Sequence, residues 1–424
     1  MLNFRFCILA CLALALGACS AVVPRQAQSV RAPLLLISID GFRADYLDRG
    51  LTPTLNALAD GGVRAEYMRP SFPSLTFPNH YALITGLRPD RNGIVANTME
   101  DDRIPGQKFT MWNRESVQNP KWWNQGIPLW NTAQRNGLHS GIMFWPGSEA
   151  AVQGTQPEFW EAYDKKLAGV SRVDKILDWL ELPEETRPSL MTLYLDTIDT
   201  VGHRYGPESD ELNAELSVVD ATIRRLIDGL IERKLDEALN IVIVSDHGMS
   251  ATSPERVIYL DDLLPADYAR VVSYGVLTGI KPVRSHGRDT EAILFTRHDH
   301  MRCWRKTELP SRFHYGKNRR VPPLLCLADP GWIISDHATL AAKAHFSYGE
   351  HGYDNNHRDM RALFIAHGPA FRNGVVLAPF DNVDVYPLLA YLLGIEAESN
   401  DGNFDDVRDA LLDSGAALRH AGVR

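Results

Sequence analysis

Cysteine is scarce in this chain, and no motif uses it to bind a metal ion. Of the 424 residues 5 are cysteine, and Cys7, Cys11 and Cys19 lie in or just after an apolar stretch near the first residue. No Cys-x-x-Cys pattern or nearby Cys/His spacing surrounds Cys303 or Cys326, which argues against a structural zinc site there. If the protein is exported to an oxidising compartment, we expect these two cysteines to form a disulfide.

A surplus of positive charge is also missing. The 44 lysine and arginine residues are outnumbered by 53 aspartate and glutamate residues, which gives a formal net charge of -9. Because this balance provides no basic surface for nucleic acid, we expect no polynucleotide partner. The sequence shows no internal repeat or low-complexity tract. Its length is sufficient for one large domain with insertions or for two to three units.

The apolar stretch from Cys7 to Ala18 is too short to span a membrane comfortably. It follows a short segment with one positive charge, as in a secretory signal. The stretch ends in Leu16-Gly17-Ala18-Cys19, which resembles a bacterial lipobox, so Cys19 would become a lipidated first residue; ordinary cleavage and release is the alternative. We predict a signal peptide over residues 1–19, a tether over 20–32, and a periplasmic or outer-membrane-anchored protein whose membrane contact is a possible lipid anchor at Cys19.

Apolar runs of strand length alternate with amphipathic helical stretches. The predicted strands are residues 34–39, 139–145, 189–195, 240–244 and 361–366, and the predicted helices are residues 52–60, 128–136, 171–181, 208–234 and 383–393. This alternation predicts an α/β fold with a mainly parallel central sheet.

The composition changes over residues 252–344, which cluster arginine, histidine and proline and contain two short strand-like runs, residues 292–295 and 331–334. We predict that this region is a smaller α+β insertion or lid on a main domain formed by residues 33–251 and 345–396. Residues 397–424 are predicted to be a polar tail with one weak helix over residues 405–412.

The segment from Ser71 to Asn79 predicts the amino terminus of a helix, with Thr76 at or near the cap and Pro78 in the first turn. The unpaired N–H groups and the dipole of such a terminus favour a bound phosphate. Helix capping alone would explain Thr76, and Asn79 is interpreted as no more than a helix-turn residue. Other parts of the sequence favour a chemical role for Thr76.

Acidic and histidine side chains recur at the ends of predicted strands. They are Asp40, Asp199, His203, Asp246, His247 and, in a glycine-rich loop before the last predicted strand, His351. Each alone is explained by a turn, a cap or a surface position. Together, three carboxylates and three imidazoles suit two zinc ions with an open position on each. Paired metal ions serve displacement at phosphorus, and a bound metal ion would activate the Thr76 hydroxyl as a nucleophile.

Six motifs, in their order, resemble the nucleotide pyrophosphatase/phosphodiesterase family of the alkaline phosphatase superfamily over roughly residues 34–394. The motifs are Asp40 to Arg43, Pro73 to His80, Gly86 to Asn97, Asp199 to Pro207, Ser245 to Met249 and His351 to Asn355. The resemblance implies an alkaline-phosphatase-like α/β fold with helices on both faces of the sheet. It also implies that one zinc ion is held by Asp40, Thr76, Asp246 and His247, and the other by Asp199, His203 and His351.

The resemblance further implies roles at the reacting phosphate. Thr76 would be the covalent nucleophile, and Asn97 would hydrogen-bond a phosphate oxygen together with the backbone N–H of Phe77. A nucleobase would stack on Phe77 and Tyr194, although core packing is the alternative for both side chains. The implied protein is an exported, monomeric two-zinc phosphodiesterase that cleaves nucleotide phosphodiester and pyrophosphate bonds through phosphothreonine.

Other activities use the same metal ions. A phosphomonoesterase, a phosphonate hydrolase and a choline-phospholipid phosphodiesterase are the alternatives, and a catalytically dead cell-surface binding protein is an alternative of another class. A sulfatase is excluded because Ser74-Leu-Thr-Phe-Pro lacks its Cys/Ser-x-Pro-x-Arg motif. A monoesterase needs an added cation, for which Arg43 and His80 are the nearest candidates.

Three tryptophans bear on the choice between diesters and monoesters. Trp112, Trp122 and Trp123 suggest an apolar groove for a second ester substituent, which favours diesters; packing in the core or on the surface is the alternative.

Overall fold

The computed structural model of the protein describes residues 32–412. The predicted signal peptide with Cys19, the tether up to residue 31 and the end of the polar tail lie outside the described residues. Among residues 32–412, no helix combines the length and the apolar character needed to cross a membrane.

An eight-stranded sheet forms the centre of the fold. In chain order its strands are β1 Leu34–Ile39, β2 Val63–Ala65, β3 Ser140–Met143, β4 Phe159–Trp160, β5 Leu190–Leu195, β6 Asn240–Val244, β7 Phe364–His367 and β8 Val375–Leu377. Their order across the sheet is β8-β2-β7-β6-β1-β5-β3-β4. Neighbouring strands run parallel except at β7, which is antiparallel to both β6 and β2. The predicted α/β fold with a mainly parallel sheet is confirmed.

Twelve α-helices surround the sheet and its connections within the described part of the chain. They are α1 Pro53–Asp60, α2 Thr76–Thr85, α3 Pro89–Asn92, α4 Arg114–Gln118, α5 Leu129–Arg135, α6 Gly169–Leu180, α7 Thr197–Tyr205, α8 Asp210–Glu232, α9 Leu260–Leu263, α10 Gly287–Leu294, α11 His337–Ala341 and α12 Val385–Leu393. The longest, α8, begins after Ser209, whose hydroxyl accepts a hydrogen bond from the backbone N–H of Leu212. This cap satisfies one of the unpaired donors at the helix terminus.

Every residue of strand β1 is buried, and all of them except Ser38 are apolar, as expected for a strand covered on both faces. Leu34 and Leu36 belong to the hydrophobic core on one face of the sheet. Leu35, Ile37 and Ile39 belong to the core on the other. Alternate side chains of one strand therefore hold two layers of the fold together.

A second sheet lies within the predicted insertion. Its four antiparallel strands follow the order Ala269–Ser273, Leu277–Pro282, Leu324–Ala328 and Met301–Arg305. The predicted disulfide between Cys303 and Cys326 is present and joins the last two strands. Ile280 and Leu325 of this sheet belong to the same continuous core as Leu36 of β1. The insertion therefore shares its core with the main sheet.

Two predicted elements are wrong. Residues 292–295 were expected to be a strand, but Ala292 to Leu294 end helix α10 and Phe295 is its C-cap. Four apolar residues are too few to distinguish the repeat of a strand from the repeat of a helix. The structure buries Thr290 and Leu294, which lie four residues apart and therefore on one face of a helix. The helix predicted over residues 405–412 is replaced by 3-10 turns at Phe404–Asp406 and Arg408–Ala410.

Ion pairs connect the predicted insertion to the preceding part of the chain. The buried carboxylate of Asp101 accepts hydrogen bonds from Arg319 and Arg320. Arg320 is itself buried and donates to the carbonyl oxygens of Gly93 and Trp122, both at 2.6 Å. Burial opposes ionisation of Asp101, but the two arginines outweigh it and lower its pKa to about 2.

Removal of the Asp101 charge should destabilise the whole protein. Asp101→Asn leaves the buried guanidinium of Arg320 without its anion, and such a change costs about 3–5 kcal/mol. Asp102→Asn is the matched control, because the neighbouring Asp102 side chain is fully exposed. Urea unfolding of both variants measures the difference, and equal free energies of unfolding would contradict the role given to Asp101.

Candidate active site

Three strand ends bring the predicted ligands to one edge of the sheet. In the sheet register Ile39 pairs with Leu195 and Ser38 pairs with Val244. Residues that follow β1, β5 and β6 therefore emerge side by side. The structure accordingly places Asp40 beside Asp246, and it places Asp199 in the first turn of α7.

Thr76 is the first residue of α2, and the residue that caps this helix is Leu75. The Thr76 side chain is thus free of the capping role that would have explained it. Its Oγ1 lies 3.3 Å from Nε2 of His247, and the residue is only 3% exposed. The hydroxyl therefore faces the ligand cluster from the positive end of a helix.

Asn79 has a larger part than the sequence indicated. It is fully buried, and its Oδ1 accepts a hydrogen bond from the backbone N–H of Ser71. Its Nδ2 donates to the carbonyl oxygens of Pro73 and Leu75. Asn79 therefore holds the loop that delivers Thr76, a role that depends on loop geometry and has no signal in the sequence pattern.

The rings of the three predicted histidine ligands are all held through Nδ1. Nδ1 of each lies within hydrogen-bond distance of a backbone carbonyl oxygen: His247 with Gly248 at 2.9 Å, His203 with Gly349 at 2.7 Å, and His351 with Ser74 at 2.9 Å. A carbonyl oxygen can only accept, so Nδ1 carries the proton in each ring. Each Nε2 consequently offers a lone pair to the site, as metal-binding histidines do.

Three buried carboxylate oxygens at this site have no hydrogen-bond donor. They are Oδ1 of Asp40, Oδ1 of Asp199 and Oδ2 of Asp246. A buried, unpaired carboxylate oxygen is costly unless a cation meets it. With the three Nε2 atoms they make six oxygen and nitrogen donors, the mixture that suits zinc. The residues present therefore fit divalent metal ions.

The donors form two groups that differ from the predicted sets, because His247 stands in the place of His203 in one and His80 in the place of His247 in the other. In each group the ligand atoms all lie within 4.8 Å of one another: Asp199, His247 and His351 in one, Asp40, His80 and Asp246 in the other. His203 Nε2 lies 3.4 Å from Asp199 Oδ1, beside the first group. Nε2 of His247 also lies 2.9 Å from Asp246 Oδ2, so this residue borders both groups.

His80 contributes to the second group without being free to bind a metal ion. Its Nδ1 lies 2.9 Å from the carbonyl oxygen of Thr76 and its Nε2 lies 2.8 Å from Oγ of Ser38. The first contact makes Nδ1 the donor, and the second uses the remaining lone pair. His80 therefore supports the start of α2, whereas His247 keeps an open Nε2.

Burial and crowding set the protonation of the acids. Burial, and then the charges of Asp246 and Asp199, raise the pKa of Asp40 well above its ordinary value. Burial also opposes ionisation of Asp246, but His247 and His80 hold its pKa well below the ordinary value. Carboxylates this close repel one another, and added positive charge would relieve the repulsion.

The predicted phosphate-binding and base-binding residues lie next to Thr76. Oδ1 of Asn97 accepts a hydrogen bond of 2.9 Å from the backbone N–H of Phe77. A phosphate oxygen that uses this N–H must therefore replace Asn97 Oδ1. The Tyr194 hydroxyl donates to Oδ2 of Asp40 at 2.5 Å, so this side chain also positions an acid.

A cavity of about 350 Å³ opens beside Thr76. Its lining includes Thr76, Phe77, Trp145 and Tyr194. Its volume is within the range of pockets that hold small organic ligands.

The three tryptophans divide between core and surface. Trp122 and Trp123 are fully buried, so the core-packing interpretation is correct for them. Trp112 also lines this cavity, and it is 76% exposed.

Fold and site together define a class, the metal-dependent hydrolases whose site lies at one edge of an α/β sheet. Comparison with known proteins specifies the family. The family model for type I phosphodiesterase / nucleotide pyrophosphatase matches residues 34–354 of the chain. An uncharacterized pyrophosphatase/phosphodiesterase of Schizosaccharomyces pombe is 38% identical over 388 residues, which cover 88% of this chain and 79% of that protein.

Bis(5'-adenosyl)-triphosphatase enpp4 of Xenopus laevis is 37% identical over 377 residues, 88% of this chain and 80% of that protein. The structure of murine ectonucleotide pyrophosphatase/phosphodiesterase 5, an inactive threonine-to-alanine variant in complex with AMP, superposes with a TM-score of 0.85 at 33% identity and covers 90% of this chain and 100% of that one. Other curated relatives are longer, and the chain spans less than half of their length.

The chain therefore belongs to the type I phosphodiesterase / nucleotide pyrophosphatase family of the alkaline phosphatase superfamily. It is a phosphoric diester hydrolase.

Proposed function

We propose that the protein is an exported two-zinc enzyme that hydrolyses phosphodiester and pyrophosphate bonds of nucleotides through a phosphothreonine intermediate. One observation carries the proposal: the unpaired carboxylate oxygens of Asp40, Asp199 and Asp246 and the open Nε2 atoms of three histidines converge beside the Thr76 hydroxyl. Export is supported by the disulfide between Cys303 and Cys326.

One zinc ion would be held by Asp40, Thr76, Asp246 and His247, and the other by Asp199, His203 and His351. Bound there, the ions would lower the pKa of the nucleophilic hydroxyl and neutralise charge on the phosphate oxygens. His80 is left out of the ligand set because both of its nitrogens already have partners.

The protein's own groups account for the rest of the reaction. Thr76 Oγ forms a bond to phosphorus while the bond from phosphorus to the leaving oxygen breaks on the opposite side. Water then cleaves the phosphothreonine and releases a nucleoside monophosphate. The amide NH2 of Asn97 and the amino terminus of α2 hold the non-bridging oxygens. Phe77 and Tyr194 bound the cavity for the nucleobase.

The surroundings favour diesters over monoesters. Arg43, one candidate for the added cation of a monoesterase, is held by Asp45, Glu208 and the carbonyl oxygen of Met249. His80 is the other candidate, and both of its ring nitrogens already have hydrogen-bond partners. The cavity beside Thr76 supplies space for a second ester substituent instead. The complete set of donors argues against a catalytically dead binding protein.

The enzyme should hydrolyse p-nitrophenyl thymidine 5'-monophosphate much faster than p-nitrophenyl phosphate, and a chelator should abolish the reaction. The two chromogenic substrates differ in whether the phosphate carries a nucleoside, so their ratio of kcat/KM measures the diester preference. Faster hydrolysis of the monoester would refute the proposed specificity. Inactivity on both with two zinc ions bound would favour a binding protein or a phospholipid substrate.

A further inference from the structure

The last helix of the fold begins against the first turn of α2. A 3-10 turn at Asn382–Asp384 leads directly into α12. Its first residue, Asn382, is fully buried, and it contacts Asn79, which lies 303 positions away in the sequence. Asn382 does not line the cavity beside Thr76. Any effect of this residue on the reaction must therefore pass through other side chains.

Both ends of the Asn382 amide bond to residues around the start of α2. Its Oδ1 accepts a hydrogen bond of 2.8 Å from the hydroxyl of Ser71, and its Nδ2 donates one of 2.9 Å to Oδ1 of Asn79. The same oxygen of Asn79 accepts a hydrogen bond of 2.8 Å from the backbone N–H of Ser71. Each of the three residues is no more than 1% exposed. They therefore form a closed set of buried hydrogen bonds.

This set fixes the direction of the Asn79 amide. Its Nδ2 donates to the carbonyl oxygens of Pro73 and Leu75, and its Oδ1 faces the N–H groups of Ser71 and Asn382. A carbonyl oxygen can only accept and an N–H can only donate. A reversed amide would place its oxygen against two carbonyl oxygens and its NH2 against the Ser71 N–H. Any disturbance of Oδ1 of Asn79 therefore disturbs the loop that ends at Leu75.

The other end of α2 is held by the same part of the chain. The carboxylate of Asp381 accepts hydrogen bonds of 2.6 Å from Arg69, just before the loop, and from Arg88, just after the helix. The backbone N–H of Asp401, in the predicted tail, donates to the carbonyl oxygen of Gly86 at 2.7 Å. Gly86 is the C-cap of α2. Both ends of this helix are thus bound to residues that follow β8.

The start of α2 needs an accurate position in the proposed reaction. It supplies the hydroxyl of Thr76 and the backbone N–H of Phe77, and the carbonyl oxygen of Ser74 accepts from the ring of His351. The loop from Ser71 to Leu75 belongs to no helix or strand, so side-chain hydrogen bonds determine its course. A displacement of about 1 Å at reacting atoms can slow a reaction about 100-fold.

We propose that Asn382 is a positioning residue for the nucleophile. Through Ser71 and Asn79 it fixes the start of α2, so that the Thr76 hydroxyl faces the reacting phosphorus. The inference rests on the proposed function, because that function makes Thr76 the attacking residue. It extends the catalytic apparatus to the beginning of α12, a part of the fold outside the six sequence motifs.

Asn382→Asp tests this role with little change in size. The carboxylate keeps an acceptor for the Ser71 hydroxyl, but it turns an oxygen without a proton toward Oδ1 of Asn79. Zinc content, melting temperature, and kcat and KM for p-nitrophenyl thymidine 5'-monophosphate are measured on zinc-loaded enzyme. At alkaline pH kcat should fall on the order of 100-fold, with KM and zinc content near the wild-type values. A protonated carboxyl group can donate as the amide does, so the loss should shrink as the pH falls.

Asn131→Asp is the matched control. Asn131 is 1% exposed, and its Nδ2 likewise donates to one buried acceptor, the carbonyl oxygen of Val152. This variant should lower the melting temperature and keep the wild-type kcat at each pH at which it is folded. An equal loss of kcat in the two variants would overturn the inference, because general loosening of the fold would explain it. Wild-type kcat in Asn382→Asp at alkaline pH would overturn it as well.

Ser71→Ala decides the question if Asn382→Asp does not fold. It removes only the hydroxyl that bonds Asn382 and keeps the backbone N–H that bonds Asn79. We expect kcat to fall several-fold at unchanged zinc content, and an unchanged kcat would contradict the positioning role. Thr76→Ala separates this inference from the proposed function. Turnover that survives in Thr76→Ala would overturn both, whereas an inactive Thr76→Ala beside a fully active Asn382→Asp would overturn only the role of Asn382.

Discussion

Thr76→Ala should keep both zinc ions and lose phosphodiesterase turnover by several orders of magnitude. The substitution removes the oxygen that lies 3.3 Å from His247 Nε2. Six other donors remain to hold the metal ions, and the Leu75 cap and the hydrogen bonds of Asn79 keep the start of α2 in place. Loss of a nucleophile with retained binding lowers kcat more than it changes KM.

Thr76→Ser is the matched control, because it keeps a hydroxyl at the same atom and should retain most of the activity. Zinc content is measured on each variant, and the phosphothreonine is sought by mass spectrometry after acid quenching of the wild type. Activity near the wild-type level in Thr76→Ala would refute the nucleophile. Joint loss of zinc and activity would instead make Thr76 a ligand without a shown chemical role.

Removal of the metal ions should abolish hydrolysis and lower the melting temperature. Three buried carboxylate oxygens that lack donors would be left uncompensated beside one another. A ligand that binds only the folded state stabilises it by about 4 kcal/mol at a concentration of about 1,000 Kd. Differential scanning calorimetry before and after dialysis against a chelator measures this loss, and added zinc should restore both properties.

The metal content of active protein should be about two zinc ions per chain, as the paired site requires. The predicted insertion offers a control in Asp261, Asp262 and His337, an exposed group in which His337 already lies within hydrogen-bond distance of Asp261. Asp261→Asn should leave the zinc content unchanged, whereas Asp246→Asn should lower it. A content near one in fully active protein would contradict the paired site.

Strands buried on both faces were predictable from the sequence, because they form apolar runs of strand length that alternate with amphipathic helical stretches. The strand Asn240–Val244 was predicted with its observed bounds. The run from Ala292 to Phe295 was not predictable, because its helical face depends on what the insertion packs against it.

The predicted ligands were recognisable because each follows or precedes a strand. The roles of Asn79 and His80 were not recognisable, because hydrogen bonds to backbone atoms leave no pattern in the sequence. Trp112 is exposed and Trp122 is buried, and this difference likewise depends on tertiary packing.

The reversed direction of β7 explains the position of His351. Asp40, Asp199 and Asp246 follow their strands along the chain, whereas His351 precedes its strand. Because β7 is antiparallel to β6, its first residue, Phe364, pairs with Val244, the last residue of β6. The polypeptide therefore passes the ligand edge before it enters β7. A strand parallel to β6 at this position would begin at the far edge of the sheet, so the reversed direction of β7 brings the preceding segment with His351 to the edge where the other candidate ligands lie.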